Sequence, residues 1–168
     1  DNVIRNNVLS GNRYVGVDFF DGAQGNLLHG NLIGTNAAGT GALGNLSGIA
    51  MQQANIANNT IAGNTISGNK HHGISLARAH HNRFVGNLIG TDLTGSYAIS
   101  NGTAPESGHG FICSDNAHDN RIGGSTPEER NVISGHFYSG IYIRTDAAAM
   151  TITANSTGTD ARGSAATS

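Results

Sequence analysis

No tryptophan occurs among the 168 residues, proline appears twice, cysteine once as Cys113, and lysine once as Lys70. A lone cysteine excludes an internal disulfide and a cysteine zinc cluster. Charged residues make up only 12% of the chain, the formal net charge is −2, and no Lys/Arg run exists. Nothing here offers the basic face that nucleic acid requires. The longest apolar runs are a few residues, which excludes a membrane-spanning helix. No secretory leader pattern is visible, and Asp1-Asn2-Val3-Ile4 reads as the middle of a repeat. What is abundant is Gly, at 25 copies, and Asn, alongside 37% apolar residues. Because the apolar residues recur regularly, a packed solenoid is expected rather than a disordered chain.

The phrase Asn-x-apolar-x-Gly/Asn-Asn opens each unit. It reads Asn2 to Asn7, Asn26 to Asn31, Asn59 to Asn64 and Asn82 to Asn87. Asn120-Arg121-Ile122 opens a fifth copy, interrupted by Gly123 to Arg130 before Asn131, and Thr151 to Asn155 is a weaker sixth. An apolar pair follows the second Asn, as in Leu32-Ile33 and Leu88-Ile89. A third phrase, Gly-apolar-x-apolar, closes the unit, as in Gly48-Ile49-Ala50-Met51 and Gly73-Ile74-Ser75-Leu76. Odd units carry Ser-Gly-Asn/His turns (Ser10, Ser67, Ser134), and even units carry Gly-Thr-Asn/Asp turns (Gly34, Gly90, Gly158). Two coils therefore make a super-repeat, near 1–57, 58–119 and 120–168.

Three short strand-like pieces per unit, broken by Gly and Asn, do not suit a sandwich of ordinary strands. They suit one turn of a three-faced solenoid whose strands pair in parallel with copies above and below, about 4.8 Å away. The expected fold is all-β: a right-handed, single-stranded parallel β-helix forming one domain over 1–168, with about five full coils plus a partial sixth. Three inward columns follow. One is Ile4, Leu28, Ile61, Phe84, Ile122 and Ile152; the second is Leu9, Ile33, Ile66, Ile89 and Ile133; the third is Val17, Ile49, Ile74, Phe111 and Ile141. Asn7, Asn31, Asn64, Asn87, Asn131 and Asn155 fall at one bend, where Asn tolerates left-handed backbone and its amide both donates and accepts. A stacked asparagine ladder is expected there.

The phrases Asn131-Val132-Ile133-Ser134-Gly135, Gly86-Asn87-Leu88-Ile89-Gly90-Thr91-Asp92 and Gly73-Ile74-Ser75-Leu76 resemble the parallel β-helix repeats of large bacterial secreted and surface proteins, pectin-lyase-like in fold. The resemblance covers nearly the whole chain and rests on coil-building residues, so it speaks to fold rather than reaction. It implies export to the extracellular space or cell surface. Its members include polysaccharide lyases, hydrolases and epimerases beside proteins without a known reaction.

Candidate chemistry is sparse. His72-Gly73-Ile74-Ser75 and Gly108-His109-Gly110-Phe111 resemble a phrase of polygalacturonases, but glycoside hydrolysis needs paired carboxylates. The outward column of the third strand reads Asp18, Ala50, Ser75, Ile112 and Tyr142, without an acid pair. A lyase or epimerase would draw on His29, His71, His72, His80, His81, Tyr14, Tyr142, Arg83, Arg121 or Lys70. Arg83 and Arg121 share one outward column and could grip a carboxylated sugar. The column's other members, Val3, Leu27, Thr60 and Thr151, point instead to a solvated face. The pairs His71-His72 and His80-His81 flank a third strand on opposite sides, which argues against four converging metal ligands. The Gly-Thr-Asp turns read as turn chemistry rather than calcium loops. Thr35, Thr91 and Thr159 recur only every second coil, too sparsely for an ice-binding face.

From sequence, no catalytic, cofactor-binding or metal residue is assigned. The expected role is an exported structural or adhesive element contacting polysaccharide or cell-surface glycan. The alternative is a fragment of a polysaccharide-modifying enzyme, of lyase, epimerase or glycoside hydrolase type. The long even-coil segments, Thr35 to Ser47 and Thr91 to His109, are expected to cluster on one side of the solenoid, and Thr91 to His109 with Gly123 to Arg130 is the expected place for a partner. Neither end shows a polar cap, so flanking coils or end-to-end stacking of copies is expected.

Overall fold

The computed structural model describes residues 1–103 and 108–166; part of the expected partner segment Thr91 to His109 therefore lies outside the described residues. The chain is a right-handed parallel β-helix with three strands per coil, arranged as parallel sheets of six, six and five strands. The first sheet stacks Val3–Arg5, Leu27–His29, Thr60–Ala62, Arg83–Val85, Arg121–Gly123 and Thr151–Thr153. The second contains two-residue strands from Val8–Leu9 to Ser156–Thr157. The third contains Val15–Phe19, Ser47–Met51, Ile74–Ala77, Phe111–Ser114 and Ile141–Ile143.

Register follows the apolar columns. Ile4 pairs with Leu28, Leu28 with Ile61, Ile61 with Phe84, and Phe84 with Ile122. Ile33, Ile49, Ile61, Ile66, Ile74, Ile89, Phe84 and Phe111 are fully buried in one continuous core. Each such side chain stabilises the fold by about 1.5–3 kcal/mol through removal from water. The Phe84 and Phe111 rings meet edge to face at 5.2 Å across the bore. Cys113 is buried in the same core, where burial pushes its thiol up to about 12.

All three corners carry asparagine ladders. At the corner between the first and second sheets, the backbone N–H and side-chain Nδ2 of Asn64 both donate to Asn87 Oδ1, at 2.9 and 3.0 Å. Asn87 donates in the same way to Asn131, and its Nδ2 also donates to the Ile61 carbonyl. Asn2, Asn26, Asn59, Asn82 and Asn120 repeat this pattern at the corner before the first sheet. Asn12, Asn45, Asn69 and Asn101 repeat it before the third. These amides satisfy backbone groups that a bend takes out of the sheet ladder, which is why seven of them tolerate complete burial.

The even-coil segments form small hairpins, each closed by an antiparallel bridge: Thr35 with Ala42, Thr91 with Ala98, and Thr159 with Ala166. Successive hairpins touch, with Leu93 N–H donating to the Gly39 carbonyl and Ala161 N–H to that of Gly95. The Asp92 carboxylate accepts from Ser96 N, Tyr97 N and Thr94 Oγ1, so it closes its own turn. Thr35 and Thr91 are fully buried, so these threonines present no outward face. The Gly123 to Arg130 insertion follows the first sheet, a different corner from the hairpins. The even-coil hairpins thus gather on one side, as expected, and the insertion stands apart from them.

Candidate metal centre

Each coil leaves the third sheet through a two-residue corner before the next ladder position, which is asparagine in every case but the last, where it is Met150. The first residues of these corners pair in parallel as Gln24, Ala57, His80, His118 and Ala148. The second residues are Gly25, Asn58, His81, Asp119 and Ala149, all in left-handed backbone at φ 66°, 57°, 55°, 52° and 50°. Asn, Asp and His are the non-glycine residues that most readily adopt this conformation, so local sterics permit His81 and Asp119 there. The corner thus places His80 directly over His118, and His81 over Asp119.

The rings of His80 and His118 stack at 4.9 Å with an interplanar angle of 6°. His80 Nδ1 lies 2.9 Å from His81 Nδ1, and His118 Nδ1 lies 2.8 Å from Asp119 Oδ2. The ligand atoms of His81, His118 and Asp119 all fall within 4.8 Å of one another. His81 and Asp119 are exposed and His118 half-buried. The hydrogen bond with His118 holds the Asp119 carboxyl below its ordinary range. Burial, then the neighbouring His118 and His81 imidazoles, lowers His80. Two imidazoles and one ionised carboxylate within one small radius, open to solvent, form a donor set for a divalent transition metal.

The other candidates separate from this corner. His71 and His72 lie before the third sheet, and His72 stacks on His109 at 5.3 Å. His109 stacks in turn on Tyr142 at 4.7 Å. His136 occupies the place of a ladder asparagine, with its Nε2 3.1 Å from the Ile89 carbonyl. The Nδ1 atoms of His72, His109 and His136 are buried without hydrogen-bond partners among the described residues. Burial pushes His72 and His136 down to about 4. His29 is alone on the first sheet, with Nδ1 3.0 Å from the Ala62 carbonyl. Tyr14 lies under the Arg13 guanidinium at 5.3 Å. Lys70 is exposed on the odd-coil turn.

Arg83 and Arg121 do pair across the first sheet. Glu129, from the insertion that interrupts the fifth coil, bridges both guanidiniums, with Arg121 Nη2 3.2 Å from its Oε2. The chain's own carboxylate therefore sits where a sugar carboxylate would have to bind. Asp18 remains without a second acid on its outward column, which pairs it with Ala50 and then Ser75.

Residues 1–122, more than two thirds of the chain, match a family described as periplasmic copper-binding protein (NosD). The chain belongs to the NosD family. Neither a curated protein nor a solved structure matches it. NosD membership agrees with the exported β-helix expected from the repeats. Among the described residues, no helix is long and apolar enough to cross a membrane. The matched span contains His80, His81, His118 and Asp119, and excludes His136 and Tyr142.

Proposed function

We propose that this chain is an exported β-helix segment that captures copper on its surface, at the corner built by His81, His118 and Asp119. The observation carrying this reading is the convergence of their three ligand atoms within 4.8 Å, from two consecutive coils. The NosD family's description as copper-binding supports it. Copper heads the divalent series for sites of nitrogen and oxygen donors. Asp119 orients the His118 ring through their hydrogen bond and supplies negative charge. The left-handed corner turns His81 toward the next coil. Because the corner is exposed, an ion enters and leaves without opening the core. Isothermal titration with cupric ion should give one site per chain. His81→Ala and His118→Ala should each weaken it by at least about 100-fold, the upper end of the cost of losing a supporting group. Unchanged binding in both variants would defeat the proposal.

A glycan-contacting role is the second reading, favoured by a groove of about 360 Å³ lined by His109, Tyr138, Ser139 and Tyr142. Tyr138 and Tyr142 are exposed, and their faces suit the apolar side of a sugar ring. Titrating neutral and uronate oligosaccharides while following Tyr142 resonances tests this, with Tyr142→Ala as the control. The lyase alternative predicts absorbance from unsaturated products. None is expected while Glu129 occupies the arginine pair.

A further inference from the structure

We infer that the corner at His81, His118 and Asp119 selects cupric over cuprous copper, an inference that rests on the copper reading above. The argument comes from where the chain keeps its sulfur. Only three sulfur-bearing side chains exist: Cys113, Met51 and Met150. Cys113 and Met51 are fully buried in the bore. Met150 packs against the core, and its Sδ accepts from Asn120 Nδ2 at 3.8 Å. Met150 directly follows the Ala148-Ala149 turn that stacks on His118 and Asp119, and there it takes the place of a ladder asparagine, packed against the core. The ligand atoms that converge at the corner are imidazole nitrogens and a carboxylate oxygen.

Thioether and thiolate donors favour the soft cuprous ion, whereas imidazole with carboxylate suits the harder cupric ion. Asp119 is the discriminating group: its anionic oxygen strengthens binding of the dipositive ion far more than of the monopositive one. Three protein donors also leave coordination positions to water.

The test loads the chain separately with the two oxidation states. With cupric sulfate, electron paramagnetic resonance should show a protein-bound axial signal with nitrogen splitting, lost in His81→Ala and His118→Ala. Under anaerobic conditions, cuprous ion should remain with a competing bicinchoninate chelator. Asp119→Asn should weaken cupric binding by about tenfold and leave cuprous partitioning unchanged. Circular dichroism of each variant checks that the coils persist. Cuprous ion drawn from the chelator by the same histidines would overturn the cupric assignment while leaving copper capture standing. Binding of neither ion would defeat the copper reading itself.

Discussion

The chain holds two groups of histidines on either side of its third sheet, built from the same side chain and opposite in character. His80, His81 and His118 sit on left-handed corners, exposed or half-exposed, with ring nitrogens beside one another or beside a carboxylate. His72, His109 and His136 sit along the entry corner with unpartnered Nδ1 atoms buried. The first group keeps its nitrogens where an ion can reach them. The second uses ring area for packing and leaves a nitrogen that cannot take a proton cheaply. Identity alone does not make a ligand; corner geometry and access to water do.

The sharpest way to break this contrast is acid. His136 has a folded value of about 4 against an ordinary 6.5. As pH falls through 6.5 the unfolded chain binds a proton that the folded chain refuses until about 4. Stability is therefore full above 6.5, declines between 6.5 and 4, and is flat below. His136 alone should remove about 3 kcal/mol over that window, and half-buried His72 a smaller share. His136→Asn, which restores the ladder residue, should flatten most of the decline in urea melts followed at a series of pH values. An unchanged slope would show that His136 is not buried as described.

Copper should separate the groups next. At a free cupric concentration of about 100 times the dissociation constant, the chain should gain about 2.7 kcal/mol. The gain should vanish in His81→Ala and persist in His136→Asn, as read by thermal unfolding. Retention in His81→Ala would move the site elsewhere.

A smaller effect probes the corner itself. Ala149 adopts φ 50° where Gly25 occupies the same place in the first coil. Ala149→Gly should stabilise by about 1 kcal/mol by relieving left-handed strain. A loss of stability would show that the corner is not built as this column implies.

The repeats in the sequence foretold the inward columns and the ladder from Asn7 to Asn155, because strand-to-strand spacing inside a coil is short and constant. The ladder from Asn12 to Asn101 is hidden in the sequence, since the hairpins between Thr35 and Ala42 and between Thr91 and Ala98 break its period. Its neighbours stand 33, 24 and 32 residues apart. The ladder from Asn2 to Asn120 was visible only as the first letter of a phrase. The metal corner was hidden for the same reason: the coil from Asn82 to Asn120 spans 38 residues. His80-His81 stands out in the sequence as a pair, but nothing local signals that His118-Asp119 lands on top of it. Counting back two residues from each ladder asparagine would have found it. The repeat places Arg83 and Arg121 in one column, yet the carboxylate that occupies it lies 46 residues from Arg83. An inserted loop has no repeat to place it.

The most direct test follows the imidazole resonances of isotopically labelled histidines while cupric ion is added below one equivalent. The account predicts paramagnetic broadening confined to His80, His81 and His118, with His72, His109 and His136 sharp. Broadening that begins at His72 or His136, or that spreads evenly over all the imidazoles, would contradict it.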